Sequence, residues 1–189
     1  MALDPASRSR FNLQRAAVLL VDATPLGMNI LVQIVTGLGA KTIYRCATPE
    51  EAEEAVRTRA IDLAIVDAMP PMGEGYEFVR WLRMLGPEIN RYAPVLMTAG
   101  HTPVAQVELA RDCGAHFVVR RPLSAMGLLE RIVWVAREGR AFVIDDSYVG
   151  PDRRFRTEPG ENHNRRREDR LAPADETPPE GEPASKVAQ

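Results

Sequence analysis

Residues 16–22 read AAVLLVD, an unbroken apolar run that ends on a carboxylate. An apolar run of this length, without alternating polar residues, is typical of a strand that is buried on both faces of a parallel sheet. Similar runs recur at residues 63–66, 94–97 and 116–119, and a weaker one lies at 41–46. The sequence therefore predicts five buried strands.

Helical patterns separate these strands. Residues 25–38 repeat apolar side chains at a helical spacing, and Thr48 followed by Pro49 is typical of a helix start. Three more helical patterns lie at residues 76–85, 103–113 and 124–136. The alternation predicts an α/β fold, a doubly wound five-stranded parallel sheet flanked by five helices. In such sheets the functional crevice lies at the carboxyl ends of the strands, where the strand order switches.

Composition divides the chain into four parts. We expect a flexible N-terminal arm at residues 1–15 and the α/β domain at 16–138. Residues 139–149 contain a short apolar patch and are expected to dock on the domain. Residues 150–189 are rich first in arginine and then in proline and acids, with few apolar side chains, which predicts a disordered tail.

Overall composition excludes several protein classes. The formal net charge is −2, which does not indicate nucleic-acid binding, and Cys46 and Cys113 are typical of reduced thiols. There is no apolar run of about 18 residues and no apolar signal core near the start, so we expect a cytoplasmic protein without membrane insertion. No Ser-His-Asp, metalloprotease or P-loop pattern appears, which argues against a stand-alone enzyme.

Four polar residues lie at the ends of predicted strands. Asp22 ends the first strand, Asp67 the third and Thr98 the fourth, while Arg121 follows the fifth. Because these strand ends meet at one crevice, two carboxylates could hold Mg²⁺, and a hydroxyl and a cation could bind phosphoryl oxygens. The alternative is that the carboxylates only cap the helices that follow them.

Residues 17–137 resemble the CheY-like receiver domain of response regulators. The resemblance depends on VLLVD at 18–22, VDAMPPMGEG at 66–75, MTA at 97–99, and GA at 114–115 with RP at 121–122. It implies a receiver, or flavodoxin-like, fold and a role in two-component phosphorelay signalling.

The resemblance also implies roles for the strand-end residues. Asp67 would be the phosphoacceptor, receiving its phosphoryl group from a histidine kinase or phosphotransferase. Thr98 would be the switch hydroxyl, and Arg121 would stand at the position of the family's lysine. Magnesium would be held by Asp22, Asp67 and the backbone carbonyl of Met69. Downstream proteins would bind the face formed by the fourth helix, fifth strand and fifth helix.

Three positions depart from the family pattern. Ala23 stands where a second acid is usual, Arg121 replaces lysine, and Val118 replaces the switch aromatic. Magnesium binding is therefore expected to be weak. The domain is expected to be phosphorylated slowly, or to be a pseudo-receiver driven by another ligand.

A second signal lies in the arginine-rich part of the tail. Seven arginines and five acids lie between Asp152 and Arg170. Arginine can grip the edge of guanine, and carboxylates can accept its N–H groups. The segment resembles the extension of the CheY-like cyclic di-GMP effector (Cle) group, which engages motility or adhesion machinery. Expected ligand contacts are Arg153, Arg154, Arg166 and Asp169; the alternatives are a solvated tail or an arginine patch on an acidic partner.

These observations leave three hypotheses. The first is a stand-alone response regulator that acts through protein contacts, because the residues after Arg137 lack a helix-turn-helix pattern for DNA. The second is a cyclic di-GMP effector with a degenerate receiver site. The third is a structural adaptor that does neither.

Overall fold

The carboxyl ends of five parallel strands form the edge on which the polar residues lie. The computed structural model describes residues 12–69, 72–100, 104–137 and 140–153. Its strands are paired in the order β2-β1-β3-β4-β5, so the order switches between β1 and β3. The bounds are β1 Ala17–Val21, β2 Thr42–Cys46, β3 Leu63–Asp67, β4 Val95–Ala99 and β5 Phe117–Arg120. The predicted five-stranded parallel sheet is confirmed.

Helices cover both faces of this sheet. The described residues form α1 Pro25–Gly37, α2 Pro49–Thr58, α3 Glu74–Met84, α4 Glu88–Arg91, α5 Val104–Asp112 and α6 Ala125–Arg137. Five of these correspond to the predicted helices, with ends that differ by one or two residues. The remaining helix, α4, was not predicted because a segment of four residues is too short to show a helical period.

Successive residues of β1 alternate between two apolar layers. Val18 and Leu20 pack with residues of α1 and α6, whereas Leu19 and Val21 pack with residues of α2, α3 and α5. All four of these side chains are fully buried. Burying one such side chain contributes roughly 1.5–3 kcal/mol, so the continuous apolar run is explained by burial on both faces.

The segment after α6 folds as a hairpin of β6 (Phe142–Asp145) and β7 (Tyr148–Pro151). Tyr148 and Val149 are buried. Gly150 lies so close to the domain that an added Cβ would be 2.8 Å from the Cα of Gly114. Residues 150 and 151 therefore belong to a buried strand and not to the tail, which corrects the boundary expected from the sequence.

The N-terminal boundary of the domain also differs from the one expected from the sequence. Leu13, which falls in the arm expected to be flexible, is buried, and its N–H donates to the carbonyl of Leu38. Residues 1–11 and 154–189 lie outside the described residues. Most of the expectations for the arm and the tail concern these residues. Within the described part of the chain, no helix has the length and apolar character that a membrane span requires.

Candidate functional site: a crevice at the strand ends

The structure brings all four predicted strand-end residues together. Asp22 follows β1, Asp67 is the last residue of β3, Thr98 lies in β4, and Arg121 follows β5. Asp22 and Thr98 are almost fully buried, and the side chain of Arg121 is 25% exposed. The group therefore forms the floor of a crevice at the switch in strand order.

One guanidinium nitrogen of Arg121 connects the other three side chains. Its Nη2 donates to Asp22 Oδ2, lies 3.0 Å from Asp67 Oδ1, and lies 3.2 Å from Thr98 Oγ1. The hydroxyl of Thr98 in turn donates to Asp67 Oδ1 at 3.0 Å. Asp67 Oδ1 is therefore the point on which a positive charge and a hydroxyl donor converge.

The backbone fixes the other oxygen of Asp67. Its Oδ2 accepts from the N–H of Met69 at 3.1 Å. Met69 has a φ of 51°, which turns the chain sharply after β3. At Gly75, on the first turn of α3, any Cβ would overlap the carbonyl oxygen of Asp67, so only glycine permits this close approach.

Asp22 is oriented by two residues that sequence reasoning missed. Thr24 donates to Asp22 Oδ1 from both its N–H (2.8 Å) and its hydroxyl (2.7 Å), and its Oγ1 also accepts from the N–H of Gly27. A Cβ on Gly27 would overlap Asp22 Oδ2. The available signal was Thr24 before Pro25, a helix-start pattern like that at Thr48.

A comparison with protein families agrees with this geometry. The profile of the response regulator receiver domain matches residues 18–133, which is more than half of the chain. The chain belongs to the response regulator receiver family. Its relatives indicate a part in phosphorelay signalling. No curated protein matches the sequence.

Solved receivers resemble this chain in fold. The Vibrio cholerae chemotaxis protein CheY4 is 24% identical with a TM-score of 0.58, covering 64% of this chain and 98% of its own. A CheY-like receiver domain protein from Methanospirillum hungatei is 21% identical, with a TM-score of 0.55 and coverage of 62% and 90%. The receiver domain of the Pseudomonas aeruginosa sensor kinase PA1611, solved with magnesium in its active-site cleft, is 20% identical, with a TM-score of 0.55 and coverage of 63% and 94%.

The contacts of this receiver do not suit a divalent cation. Mg²⁺ takes oxygen ligands in near-octahedral geometry. Asp22 and Asp67 both hold Arg121, and the carbonyl of Met69 accepts from the N–H of Gly73 at 3.0 Å. Ala23 supplies only a methyl group, and the described residues contain no cluster of three acidic, histidine or cysteine side chains. With Arg121 in this position, the residues do not fit the metal.

Two further residues complete the description of the site: the valine that stands where the family has its switch aromatic, and a tyrosine of α3. Val118 is half-buried and packs against the apolar layer of α2, α3 and α5. Tyr76, on the first turn of α3, has a buried hydroxyl with no hydrogen-bond partner among the described residues. Burial first, and then the nearby charges of Cys113 and Asp67, raise the pKa of Tyr76. Tyr76 is thus a polar aromatic residue beside the crevice that the sequence did not single out.

The predicted tail contacts are only partly described. Arg153 lies over the ring of Tyr148, 3.7 Å from its centroid, and pairs with Asp112 at 3.4 Å. The receiver profile ends before this region, so the resemblance to the cyclic di-GMP effectors stays a prediction. Arg154, Arg166 and Asp169 lie outside the described residues.

Proposed function

We propose that this receiver is a response regulator that accepts a phosphoryl group on Asp67 and acts through protein contacts. The observation that carries the proposal is the convergence of Thr98 and Arg121 on Asp67 Oδ1, at a crevice open enough to leave Arg121 partly exposed. A histidine kinase or a phosphotransferase is the proposed donor.

The chemistry is an in-line phosphoryl transfer. A carboxylate oxygen of Asp67 bonds to phosphorus, and the bond from phosphorus to the donor's imidazole nitrogen breaks, leaving the electron pair on that nitrogen. Charge on the equatorial phosphoryl oxygens develops close to Arg121 and Thr98, which are preorganised donors. Magnesium could enter at Asp22, Asp67 and the Met69 carbonyl only by displacing Arg121, so we expect it to bind weakly.

The proposed output surface is the face of α5, β5 and α6. These elements are the fourth helix, fifth strand and fifth helix of the sequence prediction. Four large apolar side chains are exposed on α5 and α6: Val104, Val107, Leu109 and Met126. Exposed apolar side chains on these two helices favour a protein partner. β5 leads directly to Arg121, so a change at Asp67 reaches this face through one ion pair and the chain of β5.

The test is phosphorylation by acetyl phosphate or a cognate kinase, followed by intact-mass measurement. The wild type and the exposed control Asp146→Asn should each gain one phosphoryl mass, whereas Asp67→Asn should gain none. A label that persists in Asp67→Asn would place the phosphoacceptor elsewhere.

Cyclic di-GMP binding by the arginine-rich tail remains an independent prediction from the sequence. Calorimetry should compare cyclic di-GMP with cyclic di-AMP, using the full chain and a truncation ending at Arg153. This end point keeps β7 whole, which a cut after Val149 would not. Equal affinities for the two ligands, or unchanged binding after truncation, would contradict a guanine-reading tail.

A further inference from the structure

The two carboxylates of the crevice already have a cation between them. Arg121 Nη2 contacts Asp22 Oδ2 and Asp67 Oδ1, which belong to different strands, and it also reaches Thr98. The nearest remaining position on the rim, residue 23, carries an exposed methyl group. The described crevice therefore holds two negative charges and one positive charge supplied by the chain itself.

Every carboxylate oxygen in the crevice has a donor. Asp22 Oδ1 accepts twice from Thr24, and Asp22 Oδ2 accepts from Arg121. Asp67 Oδ1 accepts from Thr98 and lies against Arg121, and Asp67 Oδ2 accepts from the Met69 N–H. A divalent ion would have to displace Arg121, the one donor that both carboxylates share, before it could bridge them.

The position of Arg121 is fixed by the sheet. Its backbone N–H donates to the carbonyl of Ala99 at 2.8 Å, which continues the β4–β5 pairing. A tethered cation acts at a high effective concentration, so it competes well with a free ion. Nη2 of the guanidinium carries two N–H groups, so this one nitrogen can donate to both carboxylates.

From these contacts we infer that Arg121 takes the place of a divalent cation between Asp22 and Asp67, so this receiver's crevice works without metal. The consequence for transfer rests on the proposed function. When an Asp67 oxygen displaces acetate from acetyl phosphate, the new O–P bond forms, the old P–O bond breaks, and acetate leaves with the electron pair. Arg121 then holds the phosphoryl oxygens that a metal would otherwise neutralise.

The first experiment measures Mg²⁺ binding alone, by calorimetry on the full chain, with circular dichroism as a check of folding. Arg121→Gln should bind Mg²⁺ roughly tenfold or more tightly than the wild type, because it removes the positive charge that lies between the two carboxylates. Arg120→Gln, a neighbouring exposed arginine on β5, is the matched control and should bind as the wild type does. Ala23→Asp adds a carboxylate at an exposed position and should also tighten Mg²⁺ binding. Tight Mg²⁺ binding by the wild type, or unchanged affinity in folded Arg121→Gln, would overturn the inference.

The second experiment follows labelling by acetyl phosphate with excess MgCl₂ and with EDTA. Equal labelling of the wild type in both conditions supports the inference. Labelling of Asp67 that disappears in EDTA would overturn it while leaving the proposed function intact. If neither condition gives labelling, the proposed function fails, and the calorimetric comparison still decides whether Arg121 replaces the ion.

Discussion

Gly27 lies on the first turn of α1, where any side chain would displace the carboxylate of Asp22. In Gly27→Ala we expect the Asp22–Arg121 pair to break and the free energy of unfolding to fall by about 1–3 kcal/mol, the usual cost of overpacking. Urea unfolding measures this. Gly37→Ala is the matched control, because an added Cβ on this glycine of the same helix meets nothing within 4 Å. A loss as large in Gly37→Ala would mean that the cost comes from the helix and not from Asp22.

His116 is a second residue whose chemistry is fixed by its contacts. Its Nδ1 accepts from the N–H of Val95 at 3.1 Å and lies 3.5 Å from Arg83 Nη2, so that nitrogen must keep its lone pair. Burial first, and then the charges of Arg83 and Arg140, lower the pKa of His116 to about 3. The folded protein therefore holds a neutral imidazole well below neutral pH.

This neutral histidine predicts a loss of stability in mild acid. Below the ordinary histidine pKa, this histidine binds a proton in the unfolded chain but not in the folded chain. The free energy of unfolding therefore falls as the pH falls. Between about pH 7 and pH 5 the wild type should lose roughly 2 kcal/mol more than His116→Asn, which keeps an acceptor but does not titrate. Urea unfolding at both pH values checks this. Equal losses in the two proteins would mean that His116 is protonated in the folded state.

At the scale of elements, one arginine of α3 joins several segments at the amino ends of the strands. Arg83 is fully buried and donates to the carbonyls of Gly114 (3.0 Å), Ala93 (2.9 Å) and Arg91. Its guanidinium also lies 5.3 Å from the centre of the Phe142 ring in β6. Burial lowers the pKa of Arg83 to about 10, so it stays charged at neutral pH, although no carboxylate among the described residues pairs with it.

Replacing Arg83 should therefore lower the stability of the fold, although the replacement does not leave a buried carboxylate unpaired. In Arg83→Met three carbonyls, two of them in fully buried contacts, lose a donor, and we expect the free energy of unfolding to fall by about 2–4 kcal/mol. The control is Arg80→Met on the exposed side of the same helix, where the change should stay within about 0.5 kcal/mol. Denaturant midpoints that match in the two variants would show that the buried carbonyls find other donors.

At the scale of the whole molecule, the β6–β7 hairpin extends the receiver beyond the residues that the family profile matches. Tyr148 is buried, and its hydroxyl donates to the carbonyl of Pro151 at 2.8 Å. Phe142 packs edge-on against Tyr92 with ring centres 5.2 Å apart. The hairpin therefore covers Arg83 and His116 at the end of the sheet opposite Asp67.

Two truncations test whether the hairpin is part of the folded unit. A chain ending at Arg153 should unfold at the same denaturant concentration as the full chain, because the contacts of Tyr148 and Val149 remain. A chain ending at Arg140 should lose about 3–5 kcal/mol or more, the usual cost of deleting a buried aromatic side chain. Equal stability of the two truncations would show that the hairpin is only an appendage.

The sheet, its five longer helices and the four polar residues at the strand ends were all predictable from the amino-acid pattern. These features are predictable because burial on both faces of a sheet requires continuous apolar runs such as residues 18–21. Parallel strands also bring their carboxyl ends to one edge, which places Asp22, Asp67 and Thr98 together. The apolar patch at residues 139–149 was expected to dock, but its pairing as two strands was not predicted because each strand is too short to show a period.

The contacts that those polar residues make with one another depend on how distant strands pack together. Arg121 joins Asp22 to Asp67, yet Asp22 and Arg121 are 99 residues apart in the chain. No local sequence pattern predicts a contact between residues so far apart. The need for glycine at positions 27 and 75 likewise appears only when the carboxylate of Asp22 and the carbonyl of Asp67 are in place. Secondary structure and burial can be predicted from the pattern of neighbouring residues. The charge balance of a crevice instead depends on which strands pack side by side.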